Sequence, residues 1–355
     1  RLADALPNID FVMSLCSALD APKGVEDRHE IEAMLLNTEK PIIAITYGRG
    51  GARDAIQMAT LIAGDAETLR RNPILTLYSE PIAPLQHDAT YTGNLIEFAK
   101  AGLPVVYGPC DQAGATSPAT LAGTIVQANA EVLSGLVIHQ LAHKGAPFIQ
   151  GVISTVMDMK TTVMAYGAPE FTLINAGAAQ MAQWYGLPFF GTGGVTDSKI
   201  PDAQASAEAA LSLIMAALSG TNLIHDIGYL ESGLTGSLEM IVICDEIAGM
   251  VSRIMEGVEV NDETLAVDVI NKIGPGGTFL AEKHTLKYFE REHWIPRIMD
   301  RRRYLSWKSG GQRSLRDKAR ETAEKILREH QPPPLPNDIR EEIRGIVKEA
   351  ERKGV

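Results

Sequence analysis

The sequence predicts an α/β protein, a (β/α)8 TIM barrel followed by a C-terminal helical extension. Short apolar runs rich in β-branched residues alternate with helical patterns over the first two thirds of the chain. A proline opens or adjoins most of these runs, where a preceding helix has to end. Strands that alternate with helices in this way are typical of a parallel sheet built from βα units.

Seven runs predict the strands. They are Phe11–Cys16, Pro41–Tyr47, Pro73–Tyr78, Pro104–Tyr107, Pro147–Ile153, Pro188–Phe190 and Asn222–His225. The helical patterns between them are Arg28–Leu36, Ala52–Arg71, Asn94–Ala101, Ala119–His143, Ala178–Tyr185 and Ala203–Leu218. The chain begins within a further helical pattern, and we expect an eighth strand before Arg1 to complete the barrel.

A doubly wound open sheet is the alternative fold. Such a sheet usually carries a glycine-rich phosphate-binding turn after its first strand. The segment Gly48–Gly51 follows a predicted strand and precedes a helix, but it lacks the G-x-G-x-x-G spacing. The barrel is therefore the preferred prediction.

The alternation stops near residue 237, which predicts two domains. Residues 1–237 form the barrel, and residues 238–355 form a helical region that packs on the barrel or on a partner. The predicted helices of the second region are Leu238–Met255, Asp262–Lys272, Thr285–Tyr288, Ser314–His330 and Asp338–Lys353. The segment Gln331–Pro336 predicts a rigid, extended spacer before the last helix.

Composition and charge exclude several classes of protein. The chain is 45% hydrophobic and 22% charged, and its apolar runs are too short to predict a membrane span. Three widely separated cysteines argue against a disulfide framework or a structural zinc site, and they favour a reducing, cytoplasmic compartment. The net charge of −11 disfavours nucleic acid as a partner.

The charge is unevenly distributed. Residues 281–355 carry a net charge of +6, and residues 1–280 carry −17. The basic tail is either a solvated helical face or a docking surface for a partner, and the sequence leaves both interpretations open.

Chemistry is expected where the predicted strands end, because barrel enzymes gather their active sites there. Those ends show no nucleophile elbow, no H-E-x-x-H motif and no regular metal-ligand cluster. They are rich in aromatic residues instead, and several aromatic rings together make a cation–π pocket for a quaternary ammonium group. The candidate substrate-binding residues are His225, Tyr47, Arg49, Tyr78, Phe189, Phe190 and Tyr229.

Two of these candidates have specific expected roles. His225 follows the last strand and is the strongest single candidate, although a core histidine satisfied by the backbone is the alternative. Arg49 would pair with a substrate carboxylate, or else form a surface ion pair. Asp197 and Lys199 are expected to brace their loop against each other.

Several long motifs carry a family resemblance over essentially the whole chain. They are Gly114–Gly123, Gln127–Glu131, Gly194–Lys199, Asp202–Gln204, Asn222–Gly228, Glu231–Thr235, Gly274–Gly277 and Glu292–Trp294. With these motifs the chain resembles the trimethylamine methyltransferase superfamily, and within it the non-pyrrolysine branch typified by the glycine betaine:corrinoid methyltransferases. The resemblance implies a (β/α)8 barrel that lacks its N-terminal part here.

The resemblance also implies the reaction. Members of this superfamily move a methyl group from a methylated amine to the Co(I) of a separate corrinoid protein, and the trimethylamine members carry pyrrolysine, which would fall near Gly191–Val195. Standard residues stand there in this chain, which favours a quaternary amine such as glycine betaine as the substrate. Loss of a methyl group from a quaternary ammonium expels a neutral amine, so the protein needs positioning and desolvation rather than a general acid. No residue is assigned a catalytic role.

The same resemblance assigns the acceptor and its docking loop. The corrinoid-facing loop is expected to comprise Gly191, Thr192, Gly193, Gly194 and Asp197. The cobalamin-type cofactor is expected on a cognate corrinoid protein, because Leu223 stands where the Asp-x-His-x-x-Gly motif of corrinoid carriers needs aspartate. We further expect a homo-oligomer, no bound metal, and neither membrane nor nucleic acid as a partner.

Three other functions stay open at this point. One is a methyltransferase for trimethylamine or another methylamine. Another is a betaine-binding or corrinoid-docking subunit without activity. The third is a barrel lyase or aldolase, for which Lys199 is the only candidate Schiff-base lysine, and it lies past the strand in a loop.

Overall fold

A seven-stranded parallel sheet forms the centre of the protein. The computed structural model describes residues 1–353. The strands of this sheet follow one another in chain order, and each pairs in parallel with the next. They are β1 (Val12–Met13), β2 (Ile42–Ala44), β3 (Leu75–Ser79), β4 (Val105–Tyr107), β6 (Phe148–Val152), β9 (Phe189–Thr192) and β10 (Leu223–His225). All seven predicted strands are therefore confirmed.

The sheet curls, and its two ends approach each other without pairing. Phe11, just before β1, packs against Phe190 of β9 with ring centroids 6.4 Å apart. Within residues 1–353, β1 and β10 each pair on one side only. A cavity of about 710 Å³ lies between these two strands. The α/β class and the curled parallel sheet are confirmed, and the closed eight-stranded barrel remains a prediction.

Helices follow the strands as predicted, with different ends. Those of the first 237 residues are α1 (Leu2–Ala5), α2 (Glu26–Asn37), α3 (Gly48–Ala63), α4 (Ala66–Arg71), α5 (Ala89–Ala101), α6 (Leu121–Ala142), α7 (Pro169–Tyr185) and α8 (Ala203–Leu218). The predicted helix Ala52–Arg71 is two helices, because Gly64 has a φ of 89° and the Asp65 side chain caps a new helix by accepting from the N–H groups of Glu67 and Thr68.

The sheet separates two apolar cores. Neighbouring residues on a strand point to opposite faces, so Phe190 faces the inside of the curl while Phe189 packs outward among the helices. The inner core also contains Tyr78, Val106 and Phe171. Side chains at the carboxyl ends of the strands therefore pack on the inner core.

Two small sheets were missed by the sequence prediction. The strands β5 (Gln112–Ala113), β7 (Thr155–Asp158) and β8 (Val163–Ala165) form one of them beyond the carboxyl ends of β4 and β6. A hairpin of β11 (Tyr229–Leu230) and β12 (Thr235–Gly236) follows β10, with the 3₁₀ turn Glu231–Gly233 between them. Both are only two to four residues per strand, which is too short to show a period in the sequence.

The remaining helices follow residue 237. They are α9 (Leu238–Met255), α10 (Asp262–Leu265), α11 (Val267–Ile273), α12 (Lys283–Glu292), α13 (Tyr304–Ser309), α14 (Leu315–Glu329) and α15 (Asn337–Lys353). Helix α9 packs against α8 and α14, and α15 packs against α2 and α3. The division at residues 237 and 238 remains a prediction, and residues 354–355 of the second region lie outside the described residues.

Helix α6 has the length and composition of a membrane-spanning helix, the one such case among residues 1–353. It packs between α5 and α7 and carries three buried polar residues, Thr124, Glu131 and His139. Glu131 accepts a hydrogen bond from the backbone N–H of Leu85 at 2.7 Å. Helix α6 therefore makes the contacts of a core helix rather than those of a membrane-spanning helix.

Candidate functional site

Aromatic rings meet at the centre of the curled sheet. The Phe190 ring stacks on His225, with centroids 3.7 Å apart and ring planes within 10°. Tyr78 and Phe11 pack on the same phenylalanine at 6.0 and 6.4 Å. The structure therefore brings together three sequence-predicted residues, Tyr78, Phe190 and His225, and adds Phe11, which the prediction left among ordinary strand residues.

His225 is buried and only partly satisfied. Its Nε2 shares a hydrogen bond of 3.0 Å with Thr192 Oγ1 on the neighbouring strand. Its Nδ1 lies 2.8 Å from Asp226 Oδ1, but the two groups are not aligned for a hydrogen bond. The Nδ1 atom therefore has no hydrogen-bond partner among residues 1–353, although it lies beside a carboxylate.

Asp226 is held in a strained conformation. Its φ is +74°, in the left-handed region that non-glycine residues rarely adopt, although aspartate and asparagine adopt it more readily than most. The residue comes directly after β10, and its side chain is 13% exposed. Backbone strain of this kind costs about 1–3 kcal/mol and is common at functional sites.

Glu80 supplies a second carboxylate at the end of β3. The Tyr78 hydroxyl donates to its Oε2 at 2.9 Å. Burial raises the pKa of Glu80, and the hydrogen bond from Tyr78 only partly opposes that rise. Sequence analysis missed Glu80, although its place two residues after Tyr78, where the strand gives way to Pro81, was the available signal.

The pKa values of the Cys110 thiol and the Tyr166 hydroxyl indicate the charge of this region. Burial, together with the smaller effect of the carboxylates of Glu80, Asp226 and Asp111, raises the pKa of Cys110 to about 12. Burial also raises the pKa of Tyr166 well above its usual value, with Asp226 the largest charged contributor. Both carboxylates therefore act on the same space, which is electrostatically negative.

The cavity between β1 and β10 opens this region to ligands. Phe11, His225, Asp226 and Tyr229 line it. Burial raises the pKa of the Tyr229 hydroxyl, and Asp226 is again the largest charged contributor. Aromatic rings and a carboxylate thus share one concave surface, which suits a methylated ammonium cation.

Asp197 holds the loops that frame the site. Its Oδ1 accepts hydrogen bonds from the Tyr166 backbone N–H and from Ser232 Oγ, each at 2.7 Å. Lys199 donates to the backbone carbonyl of Asp197, at 2.8 Å, rather than to its carboxylate. The two side chains therefore do not brace each other as expected, and Asp197 positions Tyr166.

Three predicted substrate-binding residues lie apart from this cluster. Arg49 is half-exposed on α3 and pairs with Glu97 at 3.3 Å, the surface ion pair that was its alternative role. Phe189 packs in the outer core. Tyr47 lines a polar pocket of about 120 Å³ together with Glu30, and this pocket adjoins the cavity at Tyr229, which lines both.

The glycines of the expected corrinoid-facing loop are buried. A side chain on Gly191 would meet Phe189 and Asn175 within 2.8 Å, and one on Gly193 would meet Ile224 at the same distance. Gly194 has a φ of +80°, and its N–H donates to Ser212 Oγ at 2.9 Å. Close packing explains these glycines, Thr192 is held by His225, and the corrinoid-facing role of the loop remains a prediction.

The fold is an α/β fold with a curled parallel sheet, and comparison with known proteins gives its class as a methyltransferase. The chain belongs to the trimethylamine methyltransferase family. The family's sequence model, described as "Trimethylamine methyltransferase (MTTB)", matches residues 1–354.

Curated relatives cover nearly all of the chain. A trimethylamine methyltransferase, MttB, of Desulfitobacterium hafniense (strain DSM 10664 / DCB-2) is 39% identical over 99% of this chain and 71% of its own length. The MttB2 protein of Methanosarcina mazei is 38% identical over the same shares. A glycine betaine methyltransferase of D. hafniense (strain Y51) is 34% identical over 98% of this chain and 73% of its own length. The predicted superfamily and enzyme class are confirmed.

Proposed function

We propose that this enzyme transfers a methyl group from a methylated ammonium compound to the Co(I) of a corrinoid carried by a partner protein. The observation that carries the proposal is the cluster of the Phe11, Tyr78 and Phe190 rings around the buried His225, with the Asp226 carboxylate beside it. Aromatic faces and a carboxylate together stabilise an ammonium cation, whose methyl groups are too weakly polar to be bound by hydrogen bonds. The relatives' names supply the class of donor.

Methyl transfer of this kind requires little of the protein beyond binding the methyl donor. The C–N bond breaks and its electron pair stays on nitrogen, while the electron pair of Co(I) forms the new bond to the methyl carbon. A quaternary donor leaves as a neutral amine, so no proton has to be supplied. The site therefore has to orient the cation and exclude water, in agreement with the buried rings of Tyr78 and Phe190.

Quaternary amines such as glycine betaine are the donors we propose first. The sequence places Gly193 and Gly194 where pyrrolysine is expected in the trimethylamine enzymes. Trimethylamine is the second candidate donor, because relatives named for trimethylamine are 35–39% identical, against 34% for the glycine betaine enzyme.

The remaining expectations stand as parts of this proposal. We propose that the corrinoid protein binds transiently, that the enzyme works as a homo-oligomer, and that it acts in a reducing cytoplasm, with which three free cysteines agree. Binding without catalysis is the rival function. The Schiff-base alternative loses support, because Lys199 is exposed and bonded to its own loop.

Methyl transfer to Co(I) cobalamin, followed by its absorbance change, tests the proposal. The assay uses the full chain with trimethylamine, glycine betaine, proline betaine and carnitine, with the free corrinoid and with a corrinoid protein. Formation of methylcobalamin with one donor supports the proposal and identifies the substrate. Binding of a donor without transfer in either arm would favour the rival function.

A further inference from the structure

The segment Pro81–Asp88, here called the β3 loop, follows β3 directly and has a strained tip. Within it, the backbone groups of Ile82 and Gln86 exchange two hydrogen bonds, of 2.9 and 3.0 Å. Leu85 at the tip is 64% exposed and has a φ of +58°, in the left-handed region that leucine rarely adopts. Its exposed side chain does not stabilise this backbone, so a contact from elsewhere in the chain has to do so.

A buried carboxylate of α6 makes that contact. The Leu85 N–H donates to Glu131 Oε1 at 2.7 Å, and Glu131 is 2% exposed. Burial raises the pKa of Glu131, the hydrogen bond from Leu85 opposes that rise, and no arginine or lysine of residues 1–353 contributes to it. The far end of the loop is attached separately, because His87 Nδ1 lies 2.7 Å from the Tyr107 hydroxyl. A carboxylate buried without a cation costs stability, which indicates that holding the loop is its role.

Glu131 is also linked to the segments that follow β4 and β6. Gln127, one turn earlier on α6, donates to Glu131 Oε1 at 3.3 Å and to Asp111 Oδ1 at 2.6 Å. Ser154, which follows β6, donates through its hydroxyl to Asp111 Oδ2 at 2.9 Å. Gln127 and Glu131 begin and end one of the long sequence motifs. One hydrogen-bonded network therefore connects the β3 loop to the residues at the ends of the two neighbouring strands.

The residue that the β3 loop places at the site is Glu80, two positions before Ile82. After burial, the Glu80 carboxylate is the largest contributor to the raised pKa of the Cys110 thiol. Burial also raises the pKa of the Tyr107 hydroxyl, and so do the carboxylates of Glu131 and Glu80. Glu80 therefore lies close both to the site and to the acid that holds its loop.

We propose that Glu131 is a positioning residue, which holds the Leu85 N–H and thereby fixes the β3 loop with Glu80 beside Cys110. Helix α6 packs in the outer core, so Glu131 acts through the loop rather than on a substrate. The inference rests on the proposed function for its catalytic consequence, because Glu80 supplies negative charge near the proposed cation site. The positioning itself is testable without turnover.

The three cysteines supply that test, because they differ in exposure. Cys16 is exposed, Cys244 is fully buried, and Cys110 lies half-buried beside Glu80. The folded full chain is treated with iodoacetamide at about pH 8, and the alkylation rate of each cysteine is read by peptide mass spectrometry. Only the thiolate reacts, so both cover and a raised pKa protect a cysteine. Cys16 and Cys244 are the internal controls.

Two substitutions separate the hydrogen bond from the charge. Glu131→Gln keeps an oxygen that accepts from Leu85, whereas Glu131→Met has a similar length and accepts nothing. We expect Cys110 to react at least about fivefold faster in Glu131→Met, because the loop moves and takes Glu80 with it, and at the unmodified rate in Glu131→Gln. The control cysteines should keep their rates. An unchanged Cys110 rate in Glu131→Met, an equal increase in both variants, or an increase at Cys244 as well would overturn the inference.

Hydrogen exchange covers the case in which Glu131→Met does not fold. In the unmodified chain the Leu85 amide should exchange at least about tenfold more slowly than a free loop amide, and exchange at the free rate would overturn the inference.

Methyl transfer separates this inference from the proposed function. The positive charge of the donor falls as the C–N bond breaks, so loss of the Glu80 field in Glu131→Met should raise KM and leave kcat nearly unchanged. No transfer by the unmodified chain from any donor would contradict the proposed function, and the alkylation rates would still decide the positioning role of Glu131.

Discussion

Two pairs of acidic residues in this protein differ in whether an arginine or lysine compensates their charge. On α9, Asp245 and Glu246 are fully buried, and both are paired with Arg297. Glu246 Oε1 also accepts from the backbone N–H groups of Arg297, Ile298 and Met299 at 2.9–3.0 Å. At the carboxyl ends of β3 and β10, Glu80 and Asp226 pair with no arginine or lysine of residues 1–353, and Asp226 Oδ1 lies 2.8 Å from His225 Nδ1. The first pair anchors the chain, and the second leaves negative charge for a ligand.

The largest expected effect concerns the paired acids. Glu246→Gln removes the charge that satisfies three backbone N–H groups and one guanidinium, so we expect the free energy of unfolding to fall by about 3 kcal/mol. Urea denaturation measures this change. The control is Glu256→Gln, directly after the end of the same helix, where an exposed pair with Arg253 at 3.7 Å should contribute less than about 1 kcal/mol. Equal losses would remove the distinction between anchoring and exposed acids.

Two phenylalanines test whether the aromatic wall of the cavity binds the cation. Phe189→Leu shortens a ring of the outer core, and should lower the free energy of unfolding by about 1–2 kcal/mol while leaving cation binding unchanged. Phe11→Leu removes a ring from the cavity, and should weaken tetramethylammonium binding by about fivefold, the equivalent of a cation–π contact of about 1 kcal/mol. Calorimetric titration of both variants gives the comparison. Weaker binding in Phe189→Leu alone would contradict the assignment of the site.

A pH series tests whether Glu80 is uncompensated. Burial raises its pKa in the folded chain, so the unfolded chain ionises first as pH rises. Glu80→Gln should match the unmodified chain in stability below the ordinary glutamate pKa of about 4.3 and become the more stable of the two as pH rises towards 7. Denaturation at several pH values measures this difference. A variant that loses stability towards neutral pH would indicate a cation at Glu80.

The smallest effect is expected at Arg49. Its pair with Glu97 is exposed, and Arg53 still holds Glu97 after the change. Arg49→Ala should change the free energy of unfolding by less than about 1 kcal/mol and leave choline and glycine betaine binding as they were. Selective loss of glycine betaine binding would restore the carboxylate-binding role of Arg49.

The strand order and the class of enzyme could be predicted from sequence, whereas the pairing of individual charges could not. The seven strands of the central sheet were visible because their apolar runs and flanking prolines are local signals. Phe189 and Phe190 looked alike in the sequence, and only the register of β9 shows which of them faces inward. Glu80 and Asp226 are 146 positions apart, so their shared effect on Cys110 depends on the curl of the sheet.

A crystal structure of the full chain with tetramethylammonium would test the central claim most directly. The account predicts the ammonium nitrogen within about 6 Å of the ring centroid of Phe11, on the side of the cavity that carries Asp226. A cation in the neighbouring pocket between Tyr47 and Glu30, away from the Phe11 ring, would contradict it.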